Sequence, residues 1–220
     1  MPLTTKHVTE RTAEALGFLA DQGFRYFRSF LHFRRTDPAG YSYVTINAVT
    51  GDRVNYRLAF YLGVRIDALE TIIQQILQQP AKLTHDDRSL LSYTVNIGPD
   101  SLNWSYPIWG MWNFSTESEF ESQLPEVTAF IGDLALPFLN GNTTSDAVRT
   151  TLLETPGHAI TYRLFQQVLG SAVLAGDLAR LEADHALICE QHPKWHAGLK
   201  AELADFHARS KAFLEARNSG

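Results

Sequence analysis

His185, Cys189, His192 and His196 follow one another at intervals of four, three and four residues. On one unbroken helix that spacing would align imidazole and thiolate groups along a single face, which is the donor set of a zinc site. Pro193 stands in the way, because the residue before a proline is pushed out of the helical region. The four groups are therefore expected to diverge around a bend, and no metal is assigned. Cys189, next to Ile188, reads as a buried core thiol. As a nucleophile it would need a base and an orienting group from elsewhere in the chain. No serine lies in a G-x-S-x-G turn, the strained elbow that exposes a hydrolase nucleophile.

Two acidic clusters offer acid–base or metal-binding groups. His85, Asp86 and Asp87 fall in a polar stretch read as a loop, where catalytic groups often reside. Glu117, Glu119 and Glu121 could present metal carboxylates. The bland readings are a solvated loop for the first and, for the second, the acidic first turn that a helix macrodipole favours. Gly51-Asp52-Arg53 and Gly98-Pro99-Asp100 read as turns, since neither has the glycine spacing of a phosphate-binding loop. No catalytic residue, metal ligand or cofactor is assigned, and the chain is read as not an enzyme.

The other unusual feature is aromatic. Trp104, Tyr106, Trp109, Met111, Trp112 and Phe114 crowd into a short segment broken by Pro107 and Gly110. Rigid rings bury much area at little entropic cost, whether against a core or against a partner. Trp104, Tyr106, Trp109 and Trp112 are accordingly the candidate partner-binding residues, with packing between a sheet and a helix as the alternative.

These residues must be carried by definite elements. Ala13, Leu16 and Ala20 at helical spacing predict a first helix over Thr9–Ala20, stopped at Gly23. Phe24–Arg35 reads as one aromatic-rich strand, turning at Asp37, Pro38 and Gly40 into a second over Tyr41–Thr50. Val54, Tyr56, Leu58, Phe60, Leu62 and Val64 alternate as a third. Connections this short join antiparallel neighbours. Asp67 is read as the N-cap of a helix through Leu77 that covers the sheet, with Pro80 beyond its end. A fourth strand is read over Leu91–Ile97, and a fifth over Trp104–Phe114, where Pro107 demands an edge or a bulge.

Thr116 and Glu119 form a capping-box signature for the next helix, which Pro125 is expected to kink or divide. A short helix over Ser145–Glu154 ends at Thr155-Pro156-Gly157. Amphipathic stretches over Ile160–Ala175, Leu178–Ile188 and Trp195–Leu214 follow, punctuated by Gly176-Asp177 and His192-Pro193. The fold class is therefore α+β: an antiparallel sheet of about five strands with flanking helices, then a C-terminal antiparallel helical stack. The expected division is an α+β body over 1–155 and a helical tail over 156–220, packed as one unit.

Composition narrows the partners. The chain has 220 residues, 45% of them hydrophobic and 20% charged, enough to bury roughly 70% of its unfolded surface without disulfides or metals. A formal net charge of −5, with no run of Lys or Arg, gives phosphates no attraction, so nucleic acid is not expected. A single cysteine excludes an internal disulfide and fits a reducing compartment. Residues 1–12 lack the apolar core of a secretory signal. No apolar run reaches the length of about 18 residues that a membrane span needs. The expectation is a cytoplasmic protein with no membrane association.

Leu16-Gly17-Phe18, the Phe24–Phe33 stretch, the strand ending in Leu62-Gly63-Val64, the tryptophan-rich segment and Leu134–Leu139 occur in that order. In this order they resemble a group of uncharacterised bacterial proteins classed as domains of unknown function. Members have an antiparallel sheet with flanking helices, and some resemble immunity proteins of polymorphic or contact-delivered toxin systems. The resemblance spans roughly Thr9–Glu154 and implies a non-enzymatic, protein-binding role: stoichiometric neutralisation of a toxin through an acidic and aromatic face. The alternative is a small-molecule-binding or hydrolytic protein with a pocket between sheet and helical tail.

Overall fold

A computed structural model describes residues 3–50, 55–78, 95–97, 111–154 and 161–219. The chain divides into two compact units. Met1–Val64 with Val95–Gly141 makes the first, and Arg65–Thr94 with Asn142–Gly220 the second. This differs from the division expected at residue 155. The helix after the third long strand, read as a cover for the sheet, instead belongs with the C-terminal helices. The fold class is α+β, as the hydrophobic patterning indicates.

In the first unit α1 (Thr5–Ala15) begins at Thr4, whose hydroxyl accepts from the His7 amide. A 3₁₀ turn over Leu16–Gln22 extends it, and Gly23 closes it at φ +80°, a left-handed conformation suited to glycine. The strand expected over Phe24–Arg35 is a hairpin. β1 (Arg25–Phe27) and β2 (His32–Asp37) pair antiparallel, with Phe27 opposite His32. The tip is a 3₁₀ turn, Arg28–Phe30, and Leu31 in the left-handed region at φ +52°. Pro38 and Ala39 then turn β2 into β3 (Gly40–Thr50), with Asp37 opposite Gly40 and its carboxylate accepting from the Ala39 amide.

β4 (Tyr56–Ile66) is the centre of the sheet, whose order is β1-β2-β3-β4-β5. A strand has two edges. β3 takes one, so β5 (Val95–Ile97) and β6 (Met111–Phe114) share the other, opposite Leu62–Val64 and Tyr56–Ala59 respectively. The sheet is thus five strands wide although six are described. The expected fourth and fifth strands are two pieces along one edge. The chain leaves β4 at Ile97 and rejoins it at Met111.

Alternation along β4 turns Leu58 and Phe60 into the core, at 0% and 1% exposure, while Tyr61 is 40% exposed. Gly63 lies under the ring of Tyr43: a Cβ there would come within 2.2 Å of its Cε1. Glycine in a strand marks such a close approach. Gly63→Ala is expected to cost about 1–3 kcal/mol as an overpacking defect. A Gly63→Ala/Tyr43→Val pair should then lose less in urea denaturation than the sum of its singles; simple additivity would refute the contact.

α3 (Glu117–Phe130) opens with the expected capping box: Thr116 Oγ1 accepts from the Glu119 amide, and Glu119 Oε2 from the amides of Thr116 and Ser115. Pro125 does not divide it. The proline is exposed, where water can meet the carbonyl it frees. The irregularity comes later, as a π turn over Ile131–Ala135 leading into α4 (Leu136–Gly141). The wider turn helps bury adjacent pairs, Phe130 with Ile131 and Ala135 with Leu136, which a regular helix separates by about 100°.

The second unit holds α2 (Asp67–Leu77), α5 (Ser145–Glu154), α6 (Thr161–Ala175), α7 (Leu178–Gln191) and α8 (Ala197–Asn218). Asp67 is not the N-cap of α2 but its first residue, and its carboxylate accepts from Arg65 Nε at 2.5 Å. Leu69, Ile72, Ile73 and Ile76 are buried. Gly170 on α6 lets α2 approach closely, since a Cβ there would meet Ile73 Cγ1 at 2.8 Å. Gly176 at φ +73° and the Asp177 N-cap, accepting from the Arg180 amide, join α6 to α7 as expected. Among the described residues no helix is long and apolar enough to cross a membrane.

Candidate functional site

Of the histidines and cysteine singled out in the sequence, His185 and Cys189 lie together in the second unit, while His192 and His196 have settings of their own. His185 stacks on His207 of α8 with centroids 4.0 Å apart, and its Nε2 lies 3.8 Å from Cys189 Sγ. His192 stacks on Trp195 at 4.3 Å. His196 is the N-cap of α8, its Nδ1 accepting from the Leu199 amide at 3.2 Å. Among the described residues no three His, Cys, Asp or Glu side chains form a metal-binding group. Cys189 is exposed rather than buried. Ile188, at 0% exposure, takes the inward position, and the next residue on a helix is rotated about 100° away.

The acidic residues after Thr116 fasten α3 to α1. Glu121 accepts from Arg11 Nε at 2.9 Å and Nη2 at 3.1 Å, which holds the carboxyl below its ordinary range. Glu117 approaches His7 Nε2 at 3.3 Å. Residues 85–87 lie outside the described residues.

Of the candidate partner-binding rings, Trp104, Tyr106 and Trp109 also lie outside the described residues. Trp112 is in the core at 2% exposure, edge-on to Phe60 at 5.8 Å and to Phe130 at 5.3 Å. Parity decides this: β6 turns Trp112 and Phe114 inward and Asn113 outward. As an exposed recognition ring Trp112 is therefore corrected; it anchors the returning end of the aromatic segment to the sheet.

An exposed apolar surface that the sequence reading did not isolate is the β1–β2 tip, where two such residues are adjacent. Phe30 and Leu31 are 37% and 39% exposed. Phe30 stacks on His32 at 5.8 Å, and Phe27 tilts against the same imidazole at 5.3 Å. Arg28-Ser29, a polar pair inside an apolar run, is the only sequence signal of a turn there. The left-handed Leu31 carries none.

His32 itself is 5% exposed, with Nδ1 lacking a hydrogen-bond partner among the described residues. Burial first, and the nearby Arg34 charge second, lower its pKa from the ordinary value. Burial likewise lowers His185, beside His207, and His192. At these three sites folding thus favours the neutral imidazole, and they bind fewer protons in the folded chain than in the unfolded one. Stability is complete above the unfolded value of about 6.5 and falls as pH drops through the lower folded values. The urea midpoint should be lower at pH 5 than at pH 7.5, and His32→Phe should flatten that slope. A midpoint rising on acidification would contradict it.

Behind the tip, α1 and the sheet leave a half-open cavity of about 280 Å³. Its wall includes Thr9 and Glu10 from α1, Tyr26 from β1, Leu31 from the tip and Ala48 from β3. A second, more open depression of about 720 Å³ follows α3 around Pro125. Both lie within the first unit. Comparison with protein-family models, with curated proteins and with solved structures found no match to this chain.

Proposed function

We propose that this chain is a non-enzymatic, protein-binding protein that acts by stoichiometric association. In the narrower form that the sequence resemblance favours, it is a bacterial immunity protein that neutralises a cognate toxin. The observation that carries the reading is the β1–β2 tip. Two adjacent large apolar side chains stand in solvent there, and Leu31 holds a left-handed conformation that costs a non-glycine residue about 1–2 kcal/mol. A solvated turn gains nothing from such residues. A partner that buries them recovers their apolar area, and stacking on His32 pre-orders Phe30 for contact.

Trp104, Tyr106 and Trp109 belong to the same proposal, in a segment that Trp112 fastens to the core at its far end. The acidic balance of the chain favours a basic partner surface. Tagged chain co-expressed with the product of the reading frame beside its gene should co-purify with it at a fixed ratio and rescue growth in proportion to dose. Phe30→Asp should weaken that complex by ~2 kcal/mol or more without lowering the melting temperature. Trp109→Ala tests the aromatic segment in the same assay. Retained affinity in both variants, or substrate turnover abolished by mutating His85 or Asp87, would end the proposal.

A further inference from the structure

The cavity behind the β1–β2 tip has chemistry that the partner-binding reading does not use. Along β3, Val44 and Ile46 are buried on the face that α1 covers, and alternation puts the next residue on that face, Ala48, at the cavity floor. A methyl stands where its predecessors are branched, so the sheet falls short of the first turns of the helix. Thr5 and Thr9, one helical turn apart, form the opposite wall, and the Thr9 hydroxyl is spent on the Thr5 carbonyl at 2.8 Å. Tyr26 and Leu31 complete a mostly apolar lining.

The rim is charged and unbalanced. Glu10 and Arg28 pair with each other across it. Lys6, one turn before Glu10, has no ion-pair or hydrogen-bond partner among the described residues. The rim therefore carries two cations and one anion, a local excess of +1 in a chain whose net charge is −5. One free ammonium over a narrow apolar slot calls for a monoanion with an apolar body.

We propose that this cavity is a binding site for a small free monocarboxylate with an aliphatic or aryl body, its carboxylate on Lys6 Nζ and its apolar part between Tyr26, Leu31 and Ala48. Among the described residues, the lining offers a second anionic charge no free cation, because Arg28 is already paired with Glu10. Dicarboxylates and phosphate esters with polar bodies are rejected for that reason.

The test is a calorimetric titration of the chain alone with octanoate, alongside hexanoate, heptanoate and the uncharged 1-octanol, with amide chemical shifts followed in parallel. Because no partner protein is present, failure of the partner-binding reading does not touch the outcome. Affinity should rise about fourfold per added methylene as apolar surface is buried. Shifts should concentrate at Thr9, Tyr26, Leu31 and Ala48. Lys6→Met, an exposed change that keeps the apolar stem, should weaken octanoate about fivefold or more and leave 1-octanol unchanged. Ala48→Leu should abolish both by filling the floor, with circular dichroism confirming the fold. Absence of saturable octanoate binding, shifts clustered elsewhere, or equal octanoate affinity in wild type and Lys6→Met would each overturn the proposal.

Discussion

Phe60→Ala should lower the stability of the first unit by about 3–5 kcal/mol. The ring is 1% exposed and sits on the inward face of β4, 5.8 Å from Trp112 and 6.3 Å from Phe130. Its removal empties space shared by three rings from the central strand, the edge strand and α3. Those neighbours are set by hydrogen-bonded strands and a capped helix, so they collapse only partly, and the cavity term adds to the lost transfer energy. Leu58→Ala, at 0% exposure on the same face, should cost about 2–5 kcal/mol. Tyr61→Ala on the opposite face is the control and should change stability far less. Urea denaturation of the three variants checks the register: a one-residue slip would reverse the ranking.

The second large effect is expected at Asp184 on α7. Its carboxylate is 1% exposed and bidentate with Arg149 of α5, through Nε at 2.7 Å and through Nη2. Arg180 Nε stands 4.0 Å away, and Arg180 also reaches Asp146 at 2.5 Å and Ser171 of α6 at 3.2 Å. The hydrogen bond to Asp184 raises the Arg149 pKa, and that from Arg180 lowers the Asp146 pKa. Asp184→Ala strands the Arg149 guanidinium beside a buried position, while Arg180 keeps Asp146, and breaking such a pair from one side costs about 3–5 kcal/mol. Replacing both partners, as Arg149→Met with Asp184→Leu, should recover most of the loss, because an apolar pair of similar volume pays no desolvation penalty. A single variant as stable as wild type, or a double variant worse than Asp184→Ala, would show that the ion pair does not fasten α5 to α7.

Much of this architecture was legible from local patterns. The alternation through Leu58, Phe60, Leu62 and Val64 marked a strand and put these residues on one face, since side chains repeat every two residues, while burial shows that face to be inward. The Thr116/Glu119 signature and Gly176-Asp177 marked helix ends, because the groups that satisfy orphan amides and left-handed closures are short-range in sequence. The misreadings have equally physical causes. Phe24–Arg35 is rich in strand formers at every step, and the hairpin within it turns on a left-handed Leu31 that propensity disfavours. Asp67 lost the cap to Ile66 because its carboxylate pairs with Arg65. Pro125 was tolerated because it faces outward.

Function depends on the longer-range facts. Sequence by itself determined the element types, the shared parity of Leu58 and Phe60, the single thiol and the acidic balance, because composition and periodicity act through neighbours within a turn or a pleat. Tertiary structure alone decided that His185 stacks on His207, that Cys189 faces solvent and that Trp112 is core. It also decided that α2 joins the C-terminal helices and that a cavity opens between Thr9 and Ala48. Each of these depends on which elements meet across many residues of chain, and hydrophobic burial, being non-directional, leaves that choice to the packing of the whole unit.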